Sequence, residues 1–288
     1  MHDHQYEEST IAINGNHICY RDWGGQGDSL LLLHGLASHK GIWDLVAPLL
    51  ARNTKVHSLD LRGHGRSSKP SDGYDFDTIG NDVRQFWEKR DLRNSVLIGH
   101  SWGGNVALQC AVNFPDQVQG LIMVDGGFIE PSARPDWTWE RARGELAPPD
   151  FESITLDELK VRIKQGDLAP YWNPDIEQII LSNFYTSSDG YAKPHLDREN
   201  HIKIIRALWE HKPSTLYAKV RCPALVLAAS GSRRGNYMDQ TRTNLVHQAG
   251  TLLPKGQVIW MKDTIHDVPL QRPQELTDLI VNFLNSLP

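Results

Sequence analysis

Ser95-Val96-Leu97-Ile98-Gly99-His100-Ser101-Trp102-Gly103-Gly104 is the stretch on which the reading of this chain turns. Val96, Leu97 and Ile98 form a short apolar run that reads as a buried strand. Residues 99–103 then fit G-x-S-x-G, ahead of a helical pattern expected from near Asn105. A serine between a strand and a helix sits on a sharp turn, and the glycines two places to either side remove side chains that would collide there. The turn lifts the Ser101 hydroxyl clear of the sheet. It also aims the N–H of Trp102 at the start of the next helix, where unpaired donors and the positive end of the dipole favour a developing negative charge.

Upstream, 11–21 and 29–33 read as two strands joined by the turn Gly24-Gly25-Gln26-Gly27, with Leu30 to Leu33 apolar on both faces as a central parallel strand would be. His34-Gly35 closes the second strand. A loop leaving the C-terminal edge of a parallel sheet is where ligands sit in such folds, so the amide of Leu36 is a candidate second oxyanion donor. A helix is expected over 42–50, a strand over 54–59, and a helix over 76–90. Between the last two lies Asp60-Leu61-Arg62-Gly63-His64-Gly65-Arg66-Ser67.

That order of strands, helices, D-x-R-G-x-G-x-S and serine turn resembles the α/β-hydrolase fold superfamily, over about the first 127 residues and the C-terminal part. The resemblance implies a mostly parallel sheet flanked by helices, with a helical cap inserted in it. It also implies a structural role for the 60–67 loop. His34, His39, His57, His64 and His100 lie on different turns and strand ends without a ligand pattern such as H-E-x-x-H, so they are expected to be satisfied or solvated histidines, and no metal is implied.

A further strand over 120–124 ends at Asp125-Gly126-Gly127. From Phe128 the character changes to prolines and rings, among them Trp137, Trp139, Tyr171, Trp172, Phe184, Tyr185 and Tyr191. We read 128–215 as the cap, and 1–127 with 216–288 as the core. Within the cap, Thr155 and Glu158 form a capping box before a helix over 156–165, and Asn173-Pro174 opens another through Phe184. Ile202, Ile205 and Trp209 mark one face of a third. The sheet resumes at 223–229 and 257–261, and a final helix begins at Pro273.

A serine hydroxyl needs a base within reach and a group that holds the base in the right tautomer. His266, between the last strand and the final helix, stands where the superfamily carries its histidine, which implies that it is the base. The acid departs from the usual pattern. In most relatives it follows the strand at 224–229, but alignment by Pro and Gly puts Ser232 there, and the nearest carboxylate, Asp239, lies seven positions on (239 minus 232). Asp125 ends the strand expected beside the serine strand, 24 residues past Ser101 (125 minus 101). Zearalenone-type lactone hydrolases and a group of dehalogenases carry their acid at this strand end. Asp125 is therefore preferred, with Asp239 as the alternative.

With serine rather than a carboxylate at the turn, the expected reaction is acyl transfer from a carboxylic ester or lactone to water, with a small-molecule substrate and no cofactor. Carbon–carbon bond hydrolysis, cofactor-free dioxygenation and a ligand-receptor role use the same fold and stand as alternatives. The cap rings favour an apolar or aromatic acyl or alcohol group.

Composition is that of an ordinary globular chain able to bury a full core as one domain or a domain with a large insertion: 288 residues, 40% hydrophobic and 23% charged. Thirty basic against 35 acidic residues give a net charge of -5, which disfavours nucleic acid and anionic membrane as partners. The first residues carry no signal-peptide pattern and no apolar run approaches spanning length, so a cytoplasmic location is expected. Cys19, Cys110 and Cys222 are widely spaced and are expected as buried thiols.

Overall fold

Strand β5 (Ser95–His100) is buried at every position, and its alternating side chains explain why. Leu97 packs into the apolar cluster on one face of the sheet, while Val96 and Ile98 pack into the cluster on the other. Leu31 and Leu33 against Leu30 and Leu32 repeat the division in the neighbouring strand. A strand covered on both faces has no polar side, which is why these stretches read as unbroken apolar runs.

The computed structural model describes residues 6–92, 94–151, 153–231 and 240–288. The strands are β1 (Glu7–Ile13), β2 (Asn16–Asp22), β3 (Ser29–Leu33), β4 (Lys55–Leu59), β5, β6 (Val118–Val124), β7 (Phe184–Thr186), β8 (Ala192–Pro194), β9 (Ala224–Ala229) and β10 (Gly256–Met261). The helices are α1 (Ala47–Leu50), α2 (Phe76–Lys89), α3 (Trp102–Asn113), α4 (Trp139–Glu145), α5 (Leu156–Ile163), α6 (Pro174–Leu181), α7 (Arg198–Glu210), α8 (Gln240–Leu252), α9 (Val268–Gln271) and α10 (Pro273–Leu284). Among the described residues the main sheet runs β1-β2-β4-β3-β5-β6-β9-β10, parallel from β4 to β10 with an antiparallel hairpin at one edge. This is the α/β-hydrolase fold. The loops after β3, β5, β6 and β10 all leave the same edge of the sheet, which is where a ligand site is expected.

Four local expectations need correction. The stretch 11–21 is not one strand: Asn14 (φ 50°) and Gly15 (φ 75°) form a two-residue turn between β1 and β2. Two successive positive φ angles are the geometry of the I′ hairpin turn, and Asn-Gly is its sequence signal. The expected helix over 42–50 is split into a short 3₁₀ turn (Lys40–Trp43) and the single turn α1. Pro48 forbids a continuous helix, because it has no N–H to donate and its ring would meet the carbonyl four residues back. Helix α3 starts at Trp102, directly from the serine, rather than near Asn105. Helix α6 stops at Leu181, after which Phe184 pairs with Pro194 in the β7–β8 hairpin. Neither that hairpin nor α8 has a counterpart in the sequence reading. In α8 only Val246 and Ala249 are buried, so its apolar periodicity is faint.

Between β6 and β9 the chain leaves the sheet and forms α4 to α7 and the small hairpin. The Thr155–Glu158 capping box is formed in both directions at the start of α5.

Candidate active site

Ser101 has φ 55° and ψ -126°, a left-handed conformation that ordinary residues avoid and that puts its side chain out of both the strand and the helix. The turn is tight enough that a Cβ on Gly99 would lie 2.1 Å from the Gly103 carbonyl oxygen. A Cβ on Gly35 would lie 3.0 Å from Ser101 Cβ, so the loop after β3 passes directly against the serine. The amides of Leu36, on that loop, and Trp102, at the first position of α3, donate to no protein acceptor among the described residues.

His266 comes to Ser101 from 165 residues away, with Nε2 2.9 Å from Ser101 Oγ. Its Nδ1 lies 2.6 Å from Asp125 Oδ2. Asp125 itself is 2% exposed, stands at the end of β6 and has φ 44°. Its other oxygen accepts from the Ala229 amide at 2.9 Å and from Arg242 Nη2. Because two donors occupy Oδ1, Oδ2 is left for the imidazole, which fixes the histidine as Nδ1–H donor and Nε2 acceptor. A hydroxyl, an imidazole and a carboxylate in this arrangement can pass a proton from oxygen to nitrogen while the carboxylate steadies the resulting cation.

Burial by itself would hold the His266 pKa down, but the hydrogen bond and charge of Asp125 outweigh it and raise the pKa above the usual histidine value. Burial would likewise raise Asp125, and the His266 and Arg242 contacts reverse that, keeping the carboxyl below its usual range. Under His266, the ring of His100 donates from Nε2 to the His266 carbonyl at 2.9 Å. Burial and the neighbouring imidazole push its pKa down to about 4, so it stays neutral there.

The three side chains form the floor of a cavity of about 410 Å³, walled mainly by apolar groups that include Leu36, Trp102, Phe128, Leu208 and Leu245. Of the rings that the sequence singles out between 128 and 215, Trp137 lines it; the others pack elsewhere. Trp172, for example, donates to Glu177, and Phe151 meets Phe184 edge-on. Arg242 is the residue that the sequence reading missed. It stacks over Phe128 and Trp260 as well as binding Asp125, and nothing in its local sequence marks it.

Asp239 and Ser232 lie outside the described residues. The 60–67 loop lines no part of this cavity. Buried Asp60 binds Lys40 Nζ at 2.7 Å and the Lys40 and Arg66 amides, and the charge of Lys40 above all holds its pKa at about 2 despite burial. His34 Nε2 accepts from the Leu61 amide and His64 Nε2 from the Ala37 amide, so this loop braces the one that carries Leu36. Cys19, Cys110 and Cys222 are buried and unbridged. Among the described residues, no three His, Cys, Asp or Glu side chains are grouped to hold a metal ion. No described helix is long and apolar enough to cross a membrane.

Comparison with known proteins agrees with the fold. The family model described as "Alpha/beta hydrolase family" matches residues 30–279. The chain belongs to the alpha/beta hydrolase family. An uncharacterized protein of Mycobacterium tuberculosis is 38% identical over 105 residues, 36% of this chain and 31% of that protein, so the match spans less than a third of the mycobacterial relative. An sn-1-specific diacylglycerol lipase of Danio rerio is 28% identical over 298 residues, covering 98% of this chain and 87% of the lipase. Among solved structures, that of E-2-(acetamidomethylene)succinate hydrolase superposes with a TM-score of 0.79 at 20% identity, covering 98% of this chain and all of the other.

Proposed function

We propose that the protein is a serine hydrolase that cleaves a carboxylic ester or lactone through an acyl-enzyme. Ser101 is the nucleophile, His266 the general base and Asp125 the acid that orients it. The amides of Leu36 and Trp102 form the oxyanion hole. Residues 128–215 act as a cap over a core made of 1–127 and 216–288. The observation that carries the reading is the continuous chain Ser101 Oγ to His266 Nε2 (2.9 Å) and His266 Nδ1 to Asp125 Oδ2 (2.6 Å) on the floor of an apolar cavity.

In the first half-reaction Ser101 Oγ attacks the carbonyl carbon as His266 Nε2 takes the hydroxyl proton. The carbonyl oxygen becomes an oxyanion beside the two amides, where fixed donors stabilise charge that develops only in the transition state. Collapse breaks the bond to the leaving oxygen, which takes the proton from His266 and becomes a hydroxyl, released as an alcohol from an ester and kept on the acyl chain from a lactone. Water then attacks the acyl-enzyme with His266 again as base, and the acid is released. The step asks for no cofactor. The apolar walls suit an uncharged acyl or alcohol arm, and the likeness to a lipase supports ester chemistry.

The test is a fluorophosphonate label together with a series of p-nitrophenyl esters and lactones. The expected result is labelling at Ser101 and ester turnover that Ser101→Ala lowers on the order of a millionfold with the fold intact. A protein that neither takes the label nor turns over any ester overturns the reading, and oxygen uptake in place of ester turnover would replace it with a dioxygenase.

A further inference from the structure

Beside the main cavity lies a second, mainly apolar chamber of about 190 Å³, lined by Ala37, Pro148, Phe151, Phe184 and Leu196, with Ser38, Asn183, His195 and His201 as its polar side chains. No Asp, Glu, Lys or Arg is among its described lining residues, so an uncharged occupant suits it. Ala37 directly follows Leu36, which lines the main cavity with Ser101, so the linings of the two cavities meet along the chain. Leu146 is the one described residue that lines both cavities.

The backbone of Leu146 is held firmly. It is the C-cap of α4, with its N–H donating to Ala142 O at 3.0 Å. Two residues on, the Pro148 carbonyl accepts from Arg198 Nη1 at 2.7 Å. Arg198 belongs to α7, so this helix ties down the segment that follows Leu146. The residue that the two cavities share is therefore a half-buried, branched side chain at the end of a helix.

We propose that Leu146 determines the substrate length of this site. It closes the second chamber, so the native enzyme takes esters whose linear aliphatic arm ends at Leu146, and its removal joins the chambers into a longer apolar slot. The inference deepens the serine-hydrolase reading and rests on it. While an added methylene still enters an apolar wall it raises kcat/KM about fourfold. Once the arm reaches Leu146 the gain stops.

The experiment is kcat/KM along p-nitrophenyl esters from acetate to dodecanoate, with fluorophosphonate labelling of Ser101 measured in parallel. For the native protein the rise should break at an intermediate length. In Leu146→Ala the break should move to longer esters, each newly accommodated methylene adding about fourfold. Leu146→Val, a smaller change that keeps most of the packing, should move it less in the same direction. Leu245→Ala, which enlarges the first cavity alone, should leave the break where it is. A residue with only a structural role would lower all esters alike.

An unmoved break in both Leu146 variants, with labelling retained, overturns the role of Leu146 and leaves the hydrolase reading standing. Absence of both labelling and ester turnover in the native protein removes the hydrolase reading and this inference with it.

Discussion

Replacing Asp125 by Asn tests the site more sharply than any truncation, because the structure dictates which way the new amide must face. At φ 44° the backbone needs a residue that tolerates the left-handed region, and Asn does so about as well as Asp. The Ala229 amide and Arg242 both donate to Oδ1, so the variant's carbonyl oxygen must stay on that side. Its NH₂ then points at His266 Nδ1, now 2.6 Å from Oδ2, and can be accommodated only if Nδ1 gives up its proton and accepts. The proton moves to Nε2, the atom facing Ser101, and the base is lost. Neutralising a triad acid with the geometry intact lowers kcat about ten-thousandfold, equivalent to about 5 kcal/mol of transition-state stabilisation. The assay is kcat on the best p-nitrophenyl ester, with thermal unfolding as the check on folding. Turnover within tenfold of native from a folded variant would refute the assignment of Asp125 and point to Asp239.

The pH profile of the native protein follows from the raised His266 pKa: the base works only when neutral, so kcat/KM should fall on acidification through a value above the ordinary 6.5. Arg242→Gln removes a positive charge that holds the His266 pKa down, so this acid limb should move to still higher pH; a limb that stays put or moves down would refute the direct charge effect of Arg242 on His266. Asp60→Asn removes the buried one of the two carboxylates paired with the Lys40 ammonium, leaving Glu8 at 3.3 Å, and should cost about 1.5–3 kcal/mol in urea unfolding at neutral pH. Since the Asp60 pKa is depressed to about 2, its contribution is complete above the ordinary carboxyl pKa of about 4 and is lost as pH falls toward 2. The difference between native and variant should shrink over that interval, and a constant difference would argue against the ion pair.

Much of the architecture was legible because it is written in local pattern. Unbroken apolar runs at 30–33, 96–98 and 224–229 mark strands covered on both faces, and a serine framed by glycines between strand and helix has few conformations open to it. Even the missed hairpin at Asn14-Gly15 and the break at Pro48 had sequence signals that the longer apolar periodicity overrode. The acid could only be narrowed to two carboxylates, because a strand end and a loop displaced by seven residues are equally readable in one dimension. The contact between Asp125 and His266 joins residues 141 apart, and that between Arg242 and Asp125 joins residues 117 apart. No local preference encodes either.

The sequence by itself determined the central parallel strands, the sharp turn that exposes Ser101, and the kinds of residue available to activate it, since each depends on short-range sterics and hydrophobic period. Which of the many rings lines the main cavity, that Arg242 shares the carboxylate of Asp125, and that Leu146 lines two cavities were decided only when the elements packed. Those facts depend on the relative placement of segments distant in the chain, and a side chain's neighbours across such a gap follow from tertiary geometry alone.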